Sequence, residues 1–289
     1  VIDSVKFLDV EIKYKLRGYL ESVSPEENQE AKLKILNCKF YYPNKSIVGL
    51  AAIEFGFWNN FSVLFDIFLD KVKTIVEIGS NIGVDTIYMA KKASSDCKII
   101  AFEPCDKYRA ILTKNVEEND FKNVSIHDYF ISSKSDEKIK IYLNSSSASV
   151  VKNASRSLPA TSSQDCHSIT LDDFFGRIYP LDSLDFLKID TDGWDQQVVE
   201  GAKKTIRKFK PFLLVEFSAN CFLDKTRDSG ASLAELLYSL GYDDFFLFKE
   251  KNEPPLYIEG RKKLLEFLDP NGSSDVFAIP NFRAVNFKI

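Results

Sequence analysis

The chain has 289 residues, of which 45% are hydrophobic and 28% charged, and its formal net charge is −4. These fractions are typical of a globular protein, and the lack of a basic excess argues against a broad nucleic-acid-binding surface. No apolar run reaches the ~18–20 residues of a membrane-spanning helix, and no signal-peptide pattern is visible. We therefore expect a cytoplasmic protein.

The cysteine content favours the same compartment. Five cysteines are scattered along the chain without a C-x-x-C pair, at Cys38, Cys97, Cys105, Cys166 and Cys221. An odd number of scattered cysteines predicts reduced thiols rather than a disulfide framework. Because the sequence contains only two histidines, a structural zinc site is not expected.

The N-terminal part of the chain lacks a regular alternation of strands and helices. Over residues 1–36, charges interleave with apolar residues in a pattern typical of helix. Residues 38–50 are predicted to form an extended pair with a turn at Pro43 and Asn44. Apolar residues return at helical spacing over 58–71, which predicts a further helix.

From Thr74 onward, short apolar runs alternate with helical patterns. Strands are predicted at 74–79, 98–104, 124–130, 138–143, 184–190, 211–217, 244–249 and 275–280. Helices are predicted at 84–93, 106–119, 171–176, 195–208 and 232–241, and a Ser-rich loop at 144–165. This alternation predicts a mostly parallel sheet with helices on both faces. The last two strands follow each other without a clear helix, so one of them is predicted to be antiparallel.

The chain is thus predicted to divide into an N-terminal cap region (1–70) and a Rossmann-like α/β domain (71–289). Parallel sheets of this kind bind ligands in the crevice outside the carboxyl ends of their strands. Functional side chains are therefore expected directly after the predicted strands.

A glycine-containing loop follows the first of these strands. The stretch V-E-I-G-S-N-I-G supplies Glu77, Gly79, Ser80, Asn81 and Gly83. It lacks the third glycine of the dinucleotide fingerprint, which brings the backbone close to a pyrophosphate. A carboxylate at this turn repels pyrophosphate but suits a cationic ligand, so the loop favours S-adenosylmethionine over NAD.

Further candidate ligand-binding residues follow the second and third strands. Glu103, which precedes Pro104, comes at about the interval expected for an acid that binds ribose hydroxyls. Asp128 and Phe130, with Tyr129 between them, are suited to edge contacts and stacking with a purine.

The densest group of polar residues follows the fourth strand, in the stretch K-I-D-T-D-G-W-D. It contains Asp190 and Asp192, and Glu216 stands near the end of the fifth strand. A first-turn acid also stabilises a helix N-terminus, so a structural role for Asp192 remains open. Trp194 is suited equally to packing and to a sugar-stacking platform.

Several motifs together resemble the FkbM family of S-adenosylmethionine-dependent methyltransferases. They are VEIGSNIGVDT, IIAFEPCDKYRAILTKNVEEN, SITLDDFF, LDFLKIDTDGWDQQVVEGAKKTI and KPFLLVEF, in the family's order, and the resemblance covers roughly 40–280. It implies a class I methyltransferase fold with a seven-stranded sheet. The family's K-I-D-V-E-G-A-E is here K-I-D-T-D-G-W-D, which keeps the acidity but makes the pocket bulkier.

The resemblance also implies roles for individual residues. Glu77, Gly79, Asn81 and Gly83 would cradle the methionine part of the cofactor, and Glu103 would hold its ribose. The adenine would contact the stretch 128–131, and Asp190 would lie near the methyl donor. FkbM-like enzymes mostly methylate hydroxyl groups of natural products and sugars, which implies a small-molecule or glycan acceptor. A larger glycan-modifying protein that contains this chain is also consistent with the resemblance.

Transfer of a methyl group to a weakly acidic hydroxyl requires a proton acceptor. With so few histidines, a carboxylate is the expected base, and the candidates are Asp190, Asp192 and Glu216. A divalent ion held by several acids is the alternative, and the sequence does not decide between them. His127 is expected to be structural, and His167 is a weaker candidate base.

Three other functions remain open at this stage. An NAD-dependent oxidoreductase also needs a βαβ fold and a ribose-binding acid. A catalytically silent cofactor-binding module would result if Trp194 blocked the methyl path. A hydrolase is the least favoured, because no G-x-S-x-G elbow is present and Cys166 and His167 are adjacent in sequence. The Ser-rich stretch 144–164 is either a flexible loop or a lid over the substrate.

Overall fold

The computed structural model of the protein describes residues 28–32, 37–43, 46, 48, 68–144, 147–150, 160–218, 230–248, 255–268 and 273–281. Most of the predicted N-terminal helix, the turn residue Asn44, most of the predicted helix over 58–71, and Cys221 lie outside these residues. The predicted boundary between 1–70 and 71–289 stays a prediction.

The described strands are β1 (Asn28–Lys32), β2 (Lys39–Pro43), β3 (Thr74–Ile78), β4 (Lys98–Phe102), β5 (Val124–His127), β6 (Phe130–Ile131), β7 (Lys138–Leu143), β8 (Ala148–Ser149), β9 (Ser162–Ile169), β10 (Phe186–Ile189), β11 (Phe212–Ser218), β12 (Tyr242–Phe248), β13 (Leu256–Glu259) and β14 (Ser273–Pro280). The described α-helices are α1 (Val84–Lys92), α2 (Asp106–Glu118), α3 (Leu171–Asp173), α4 (Asp195–Gly201), α5 (Lys203–Phe209), α6 (Ala231–Ser239) and α7 (Arg261–Phe267). A 3₁₀ turn spans Leu69–Lys71 and a π-helical turn spans Phe174–Ile178.

The main sheet has eight strands in the order β13-β12-β14-β11-β10-β3-β4-β5. The five strands from β11 to β5 in this order are parallel to one another. β14 runs antiparallel to both of its neighbours, β11 and β12. The predicted α/β fold with an antiparallel strand near the C-terminus is therefore confirmed, and β13 adds an eighth strand at one edge.

Alternate residues of the central strands pack into two separate cores. All five residues of β3 are buried, and Ile75 contributes to one core while Val76 contributes to the other. A strand that is covered on both faces has no solvent-exposed side, which explains why β3 and β10 are mainly apolar apart from Glu77 and Lys188. This arrangement brings the carboxyl ends of β3, β4 and β10 together at one edge of the sheet.

A second, four-stranded sheet has the order β6-β9-β7-β8. The loop predicted over 144–165 is therefore wrong at 148–149 and from 162 onward, while 151–159 lie outside the described residues. β9 is rich in serine on its exposed side, but it pairs with the more apolar β7 over six residue pairs. Pairing with β7 thus outweighs the weak strand pattern of β9 itself.

Three further sequence predictions differ from the structure. Residues 28–32 form β1 and pair antiparallel with β2, so the helix predicted over 1–36 is wrong there because sheet pairing overrides a weak helical pattern. The single helix predicted over 195–208 is divided at Ala202, where the Asp172 carboxylate accepts the N–H groups of Lys204 and Thr205. Helix α7 and strand β13 were not predicted.

Two smaller points complete the fold. The strand predicted over 124–130 divides into β5 and β6, which belong to different sheets. Among the described helices, none combines the length and the hydropathy that a bilayer crossing requires.

Candidate cofactor and active site

A cavity lies at the carboxyl ends of β3, β4 and β10. Its floor and sides come from the loop after β3, from Phe102 to Pro104, from Tyr129 to Ile131, and from Asp190 to Asp192. The cavity therefore lies where ligands of parallel α/β sheets bind, and most of its walls follow strand ends.

The second sheet covers the cavity from the other side. Ile141 of β7 and the segment Ser147–Val150 line it. The Tyr108 hydroxyl of α2 donates to the carbonyl oxygen of Asn144 at 2.5 Å, which anchors the start of this segment. The Ser149 hydroxyl donates to the Asp192 carbonyl at 3.4 Å. We call Ser147–Val150 the roof segment.

Two glycines in the loop after β3 meet close steric constraints. Gly79 has φ +85°, and a Cβ there would overlap the carbonyl oxygen of Asp190. Gly83 has φ +90°, and its Cβ would approach Leu112 of α2 to 2.5 Å. Gly79 and Asn81 line the cavity, whereas Gly83 permits α1 to pack against α2. The spacing G-x-x-x-G is thus explained by two backbone approaches to neighbouring elements.

Glu103 is held rigidly at the cavity wall. Its side chain is 5% exposed, one carboxylate oxygen accepts the N–H of Asn81 at 2.7 Å, and the other accepts the N–H of Cys105 at 2.9 Å. Burial raises the pKa of Glu103 to about 7, although these two N–H groups act in the opposite direction. Each carboxylate oxygen can accept a second hydrogen bond, so the group can still receive ribose hydroxyls.

The predicted adenine-binding stretch is divided by the structure. Tyr129, Phe130 and Ile131 line the cavity, and they provide an apolar surface beside Glu103. Asp128 is exposed to solvent and is not part of the cavity wall. Pro104 lines the cavity, while Ser80 is buried behind the loop.

Glu77 lies beneath the cavity rather than on its wall. It is 1% exposed, and its carboxylate accepts the Thr86 hydroxyl and lies 3.7 Å from the Lys188 ammonium group. Lys188 also lies 3.2 Å from Asp85 and 3.0 Å from Asp190. Burial raises the pKa of Glu77 to about 7, while Lys188 acts to lower it.

Asp190 and Asp192 reach the cavity on either side of Thr191. Asp190 is partly exposed and accepts a hydrogen bond from Lys188 at 3.0 Å. Burial, followed by the neighbouring Asp190 charge, raises the pKa of Asp192 to about 7, and a hydrogen bond with Ser147 partly offsets this. Asp192 has φ +51°, so its backbone adopts the left-handed conformation, which is uncommon for residues other than glycine.

Asp195 has a structural role at the start of α4. Its two carboxylate oxygens accept the N–H groups of Thr191 and Gly193 at 3.0 and 3.1 Å. These bonds fix the turn that carries Asp190 and Asp192, so Asp195 shapes the site without lining it.

Glu216 is close to this group of acids but does not line the cavity. It lies directly opposite Asp275 of β14 in the sheet register, and its Oε2 atom is buried without a hydrogen-bond partner. Burial first, and then the charges of Asp190, Asp195 and Asp192, raise the pKa of Glu216 well above its ordinary range. Because Glu216 does not line the cavity, it is less well placed than Asp190 and Asp192 to accept a proton from a bound hydroxyl.

A comparison with models of known protein families identifies the family of this chain. The sequence model described as the Methyltransferase FkbM domain matches residues 77–243, which is more than half of the chain. The chain belongs to the FkbM family of S-adenosylmethionine-dependent methyltransferases. No curated protein matches the sequence closely enough to count as a relative.

Several solved structures resemble this FkbM-family chain at low sequence identity. A methyltransferase FkbM from Methylobacillus flagellatus KT shares 15% identity with a TM-score of 0.42, over 71% of this chain and 43% of that chain. This chain thus spans less than half of that protein. An O-methyltransferase from Bacillus cereus, solved in complex with SAH, shares 15% identity with a TM-score of 0.43, over 75% and 78% of the two chains.

The donor set of the cavity fits the cofactor of an FkbM methyltransferase. Glu103 offers a fixed carboxylate for two ribose hydroxyls, and Tyr129 to Ile131 offer an apolar surface for a base. Asp190 offers a carboxylate that would attract the sulfonium and ammonium groups of such a cofactor. The same carboxylates would repel a pyrophosphate. The cavity therefore fits the cofactor of the FkbM family better than the NAD of an oxidoreductase.

The two histidines of this FkbM chain lie away from the cavity wall. His127 packs among Phe102, Phe174 and Tyr179, and burial lowers its pKa. His167 is exposed on β9. Within the part of the chain that the structure describes, no group of three or more His, Cys, Asp or Glu side chains is arranged to hold a metal ion.

Sequence reasoning missed two parts of the site. The roof segment was predicted as loop, and the only signal available was its position between β7 and β9. Lys188 was noted in the acidic stretch without a role, although a lysine inside an apolar strand is a signal for buried ion pairing. Trp194 donates its ring N–H to Ser132 at 3.1 Å and packs against Phe130, which favours a packing role.

Proposed function

We propose that the protein transfers a methyl group from S-adenosylmethionine to a hydroxyl oxygen of a sugar or glycan. The observation that carries this proposal is Asp192, a carboxylate at the cavity wall whose pKa is raised to about 7. Such a group is ionised often enough at neutral pH to take a proton and basic enough to take it from a hydroxyl as the new bond forms.

Different residues around the cavity would bind different parts of the cofactor. Glu103 accepts the two ribose hydroxyls, since its orientation is already fixed by Asn81 and Cys105. Tyr129 to Ile131 would hold the adenine. Asp190 attracts the positive charges of the methionine part, and the backbone at Gly79 lets this part come close to the end of β10.

The chain's own contribution to the reaction is orientation and proton transfer. When bound, S-adenosylmethionine would supply an electrophilic methyl group, whose bond to sulfur breaks and leaves S-adenosylhomocysteine. The roof segment and the turn at Asp192 would orient the acceptor oxygen toward that methyl group, which lowers the entropic part of the barrier. Asp192 would receive the hydroxyl proton at its carboxylate as the new carbon–oxygen bond forms.

A hydroxyl-rich acceptor suits the polar groups of the roof segment. The Ser147 and Ser149 side chains belong to the roof segment and contact Asp192. Together with the Asp192 carboxylate they offer hydrogen-bond donors and acceptors of the kind that a sugar can match. The FkbM resemblance supports the same acceptor class.

Two experiments test this function. Purified protein is titrated with S-adenosylmethionine and with NAD in a calorimeter, and preference for NAD would contradict the proposal. The protein is then incubated with S-adenosylmethionine and a panel of glycans, with and without a chelator, and products are analysed by mass spectrometry. Turnover that survives the chelator supports the carboxylate base, and turnover that needs added magnesium supports the metal alternative. Binding of the cofactor without transfer to any acceptor would favour the silent module.

A further inference from the structure

A buried lysine lies at the centre of the ion pairs beneath the cavity. Lys188 is the third residue of β10 and is 2% exposed, and its ammonium group lies 3.0 Å from Asp190, 3.2 Å from Asp85 and 3.7 Å from Glu77. An uncompensated charge at such a depth is strongly unfavourable. The paired carboxylates are therefore what keeps this lysine charged.

The partners of Lys188 come from three different elements. Glu77 is opposite Lys188 in the register of β3 and β10, Asp85 is in the first turn of α1, and Asp190 directly follows β10. One ammonium group thus connects two adjacent strands and a helix N-terminus at the edge of the site. Of the three carboxylates, only Asp190 lines the cavity.

We propose that Lys188 is a positioning residue of the methyltransferase site, which holds the Asp190 carboxylate oriented toward the bound S-adenosylmethionine. This role rests on the proposed function, since it assumes that Asp190 contacts the cofactor. Lys188 itself is buried below the cavity and touches neither cofactor nor acceptor.

The surrounding charges show why the lysine is needed. Burial lowers the pKa of Lys188, but Asp190, Asp85 and Glu77 outweigh this effect and hold it well above the ordinary lysine value. Burial raises the pKa of Asp192 and Asp275 to about 7, and the Lys188 charge acts in the opposite direction on both. Without Lys188, the Asp190 carboxylate would lose the hydrogen bond of 3.0 Å that fixes its direction.

The test compares binding of S-adenosylmethionine by the wild-type chain, Lys188→Met, and the control Lys98→Met, whose lysine is exposed at the start of β4. Lys188→Met is expected to bind about tenfold more weakly at pH 6.5. Weaker binding is also expected at pH 8.5, because the hydrogen bond that orients Asp190 is lost at either pH. A merely structural lysine would lower the thermal unfolding midpoint and leave the affinity of the folded protein unchanged at both pH values.

A double-mutant cycle with Asp190→Asn tests whether Lys188 affects cofactor binding through Asp190. If Lys188 acts through Asp190, Lys188→Met should weaken binding far less in the Asp190→Asn background than in the wild type. An equal fold-change in both backgrounds would overturn the proposal.

A second variant guards against misfolding. If Lys188→Met fails to fold, the charge-balanced Lys188→Met/Asp85→Asn variant removes one cation and one anion and is measured in its place. Recovery of a cooperative unfolding transition with wild-type affinity would overturn the proposal, and recovery with weak affinity supports it. Absence of any S-adenosylmethionine binding by the wild type would instead contradict the proposed function itself.

Discussion

The backbone N–H of Asn81 donates to the Glu103 carboxylate at 2.7 Å. This bond joins the loop after β3 to the end of β4 and fixes the acid before any ligand arrives. Asn81 has φ +50°, a conformation that asparagine tolerates better than most residues. The loop therefore has two tasks, since it lines the cavity and also orients the acid opposite it.

Glu103→Gln should weaken S-adenosylmethionine binding by about 10- to 100-fold. The change replaces charged hydrogen bonds to the ribose, each worth about 1.5–3 kcal/mol, and it turns an amide donor toward a backbone N–H. Isothermal titration calorimetry measures the effect, with the exposed Glu117→Gln as a matched control. Unchanged affinity in Glu103→Gln would rule out the ribose role.

Asp192→Asn should lower kcat by about 10²- to 10³-fold, within the usual range for loss of a general base. The KM for S-adenosylmethionine should change little, because Glu103 and Asp190 remain in place. Steady-state kinetics with a productive glycan measures both constants, and Asp182→Asn, which is exposed before β10, serves as control. A large change in KM with constant kcat would assign Asp192 to cofactor binding instead.

The pH dependence of turnover provides an independent test of the base. Asp192 must be ionised to accept a proton, and its pKa is about 7. At saturating cofactor and acceptor, kcat should therefore rise as the pH increases through about 7 and then level off. The Asp192→Asn variant should lose this rise. A wild-type profile that is flat from pH 6 to 8.5 would contradict the assignment.

The residues after the parallel strands were predictable from the sequence. Glu103, Asp190 and Asp192 each follow a short apolar run, and parallel strands place their carboxyl ends at one edge of a sheet. The position of a residue after a strand thus allowed us to predict that it lies near the site, but not the direction in which its side chain points. Asp128 also follows a strand, yet the backbone turns its side chain into solvent.

Pairing between distant segments was not predictable. Glu77 and Lys188 lie opposite each other because β3 and β10 are neighbours, and strand order cannot be obtained from local patterns. Glu77 therefore appeared to be a loop acid that selects a cationic cofactor, although it is an internal partner of Lys188. The roof segment was missed for a similar reason, since β8 and β9 depend on pairing with β7.

Gly79→Ala should destabilise the fold by roughly 2 kcal/mol or more, through the positive φ and the overlap with the Asp190 carbonyl. Two control variants separate these causes. Gly241→Ala carries a similar φ in open space and should cost less, and Gly176→Ala meets no atom within 4 Å and should be nearly neutral. Urea denaturation measures all three, and equal losses at Gly79 and Gly241 would show that the overlap is relieved without cost.

The buried acids should make the cofactor-free protein more stable at mildly acidic pH. Burial raises the pKa of Glu103 and Asp275 to about 7, so the folded state retains protons that the unfolded chain has already released. The free energy of unfolding should therefore fall as the pH rises from about 5 to about 7. Asp275→Asn should reduce this slope in thermal unfolding experiments. Stability that increases over the same interval would contradict the raised pKa values.

Methyl transfer itself is the central claim, and one measurement tests it most directly. The wild-type chain and Asp192→Asn are incubated with S-adenosylmethionine that carries a labelled methyl group and with a panel of glycans. We predict that the wild type places label on a sugar oxygen, as shown by nuclear magnetic resonance of the product, and that Asp192→Asn places far less. Cofactor binding with no labelled glycan, or label on another class of acceptor, would contradict it.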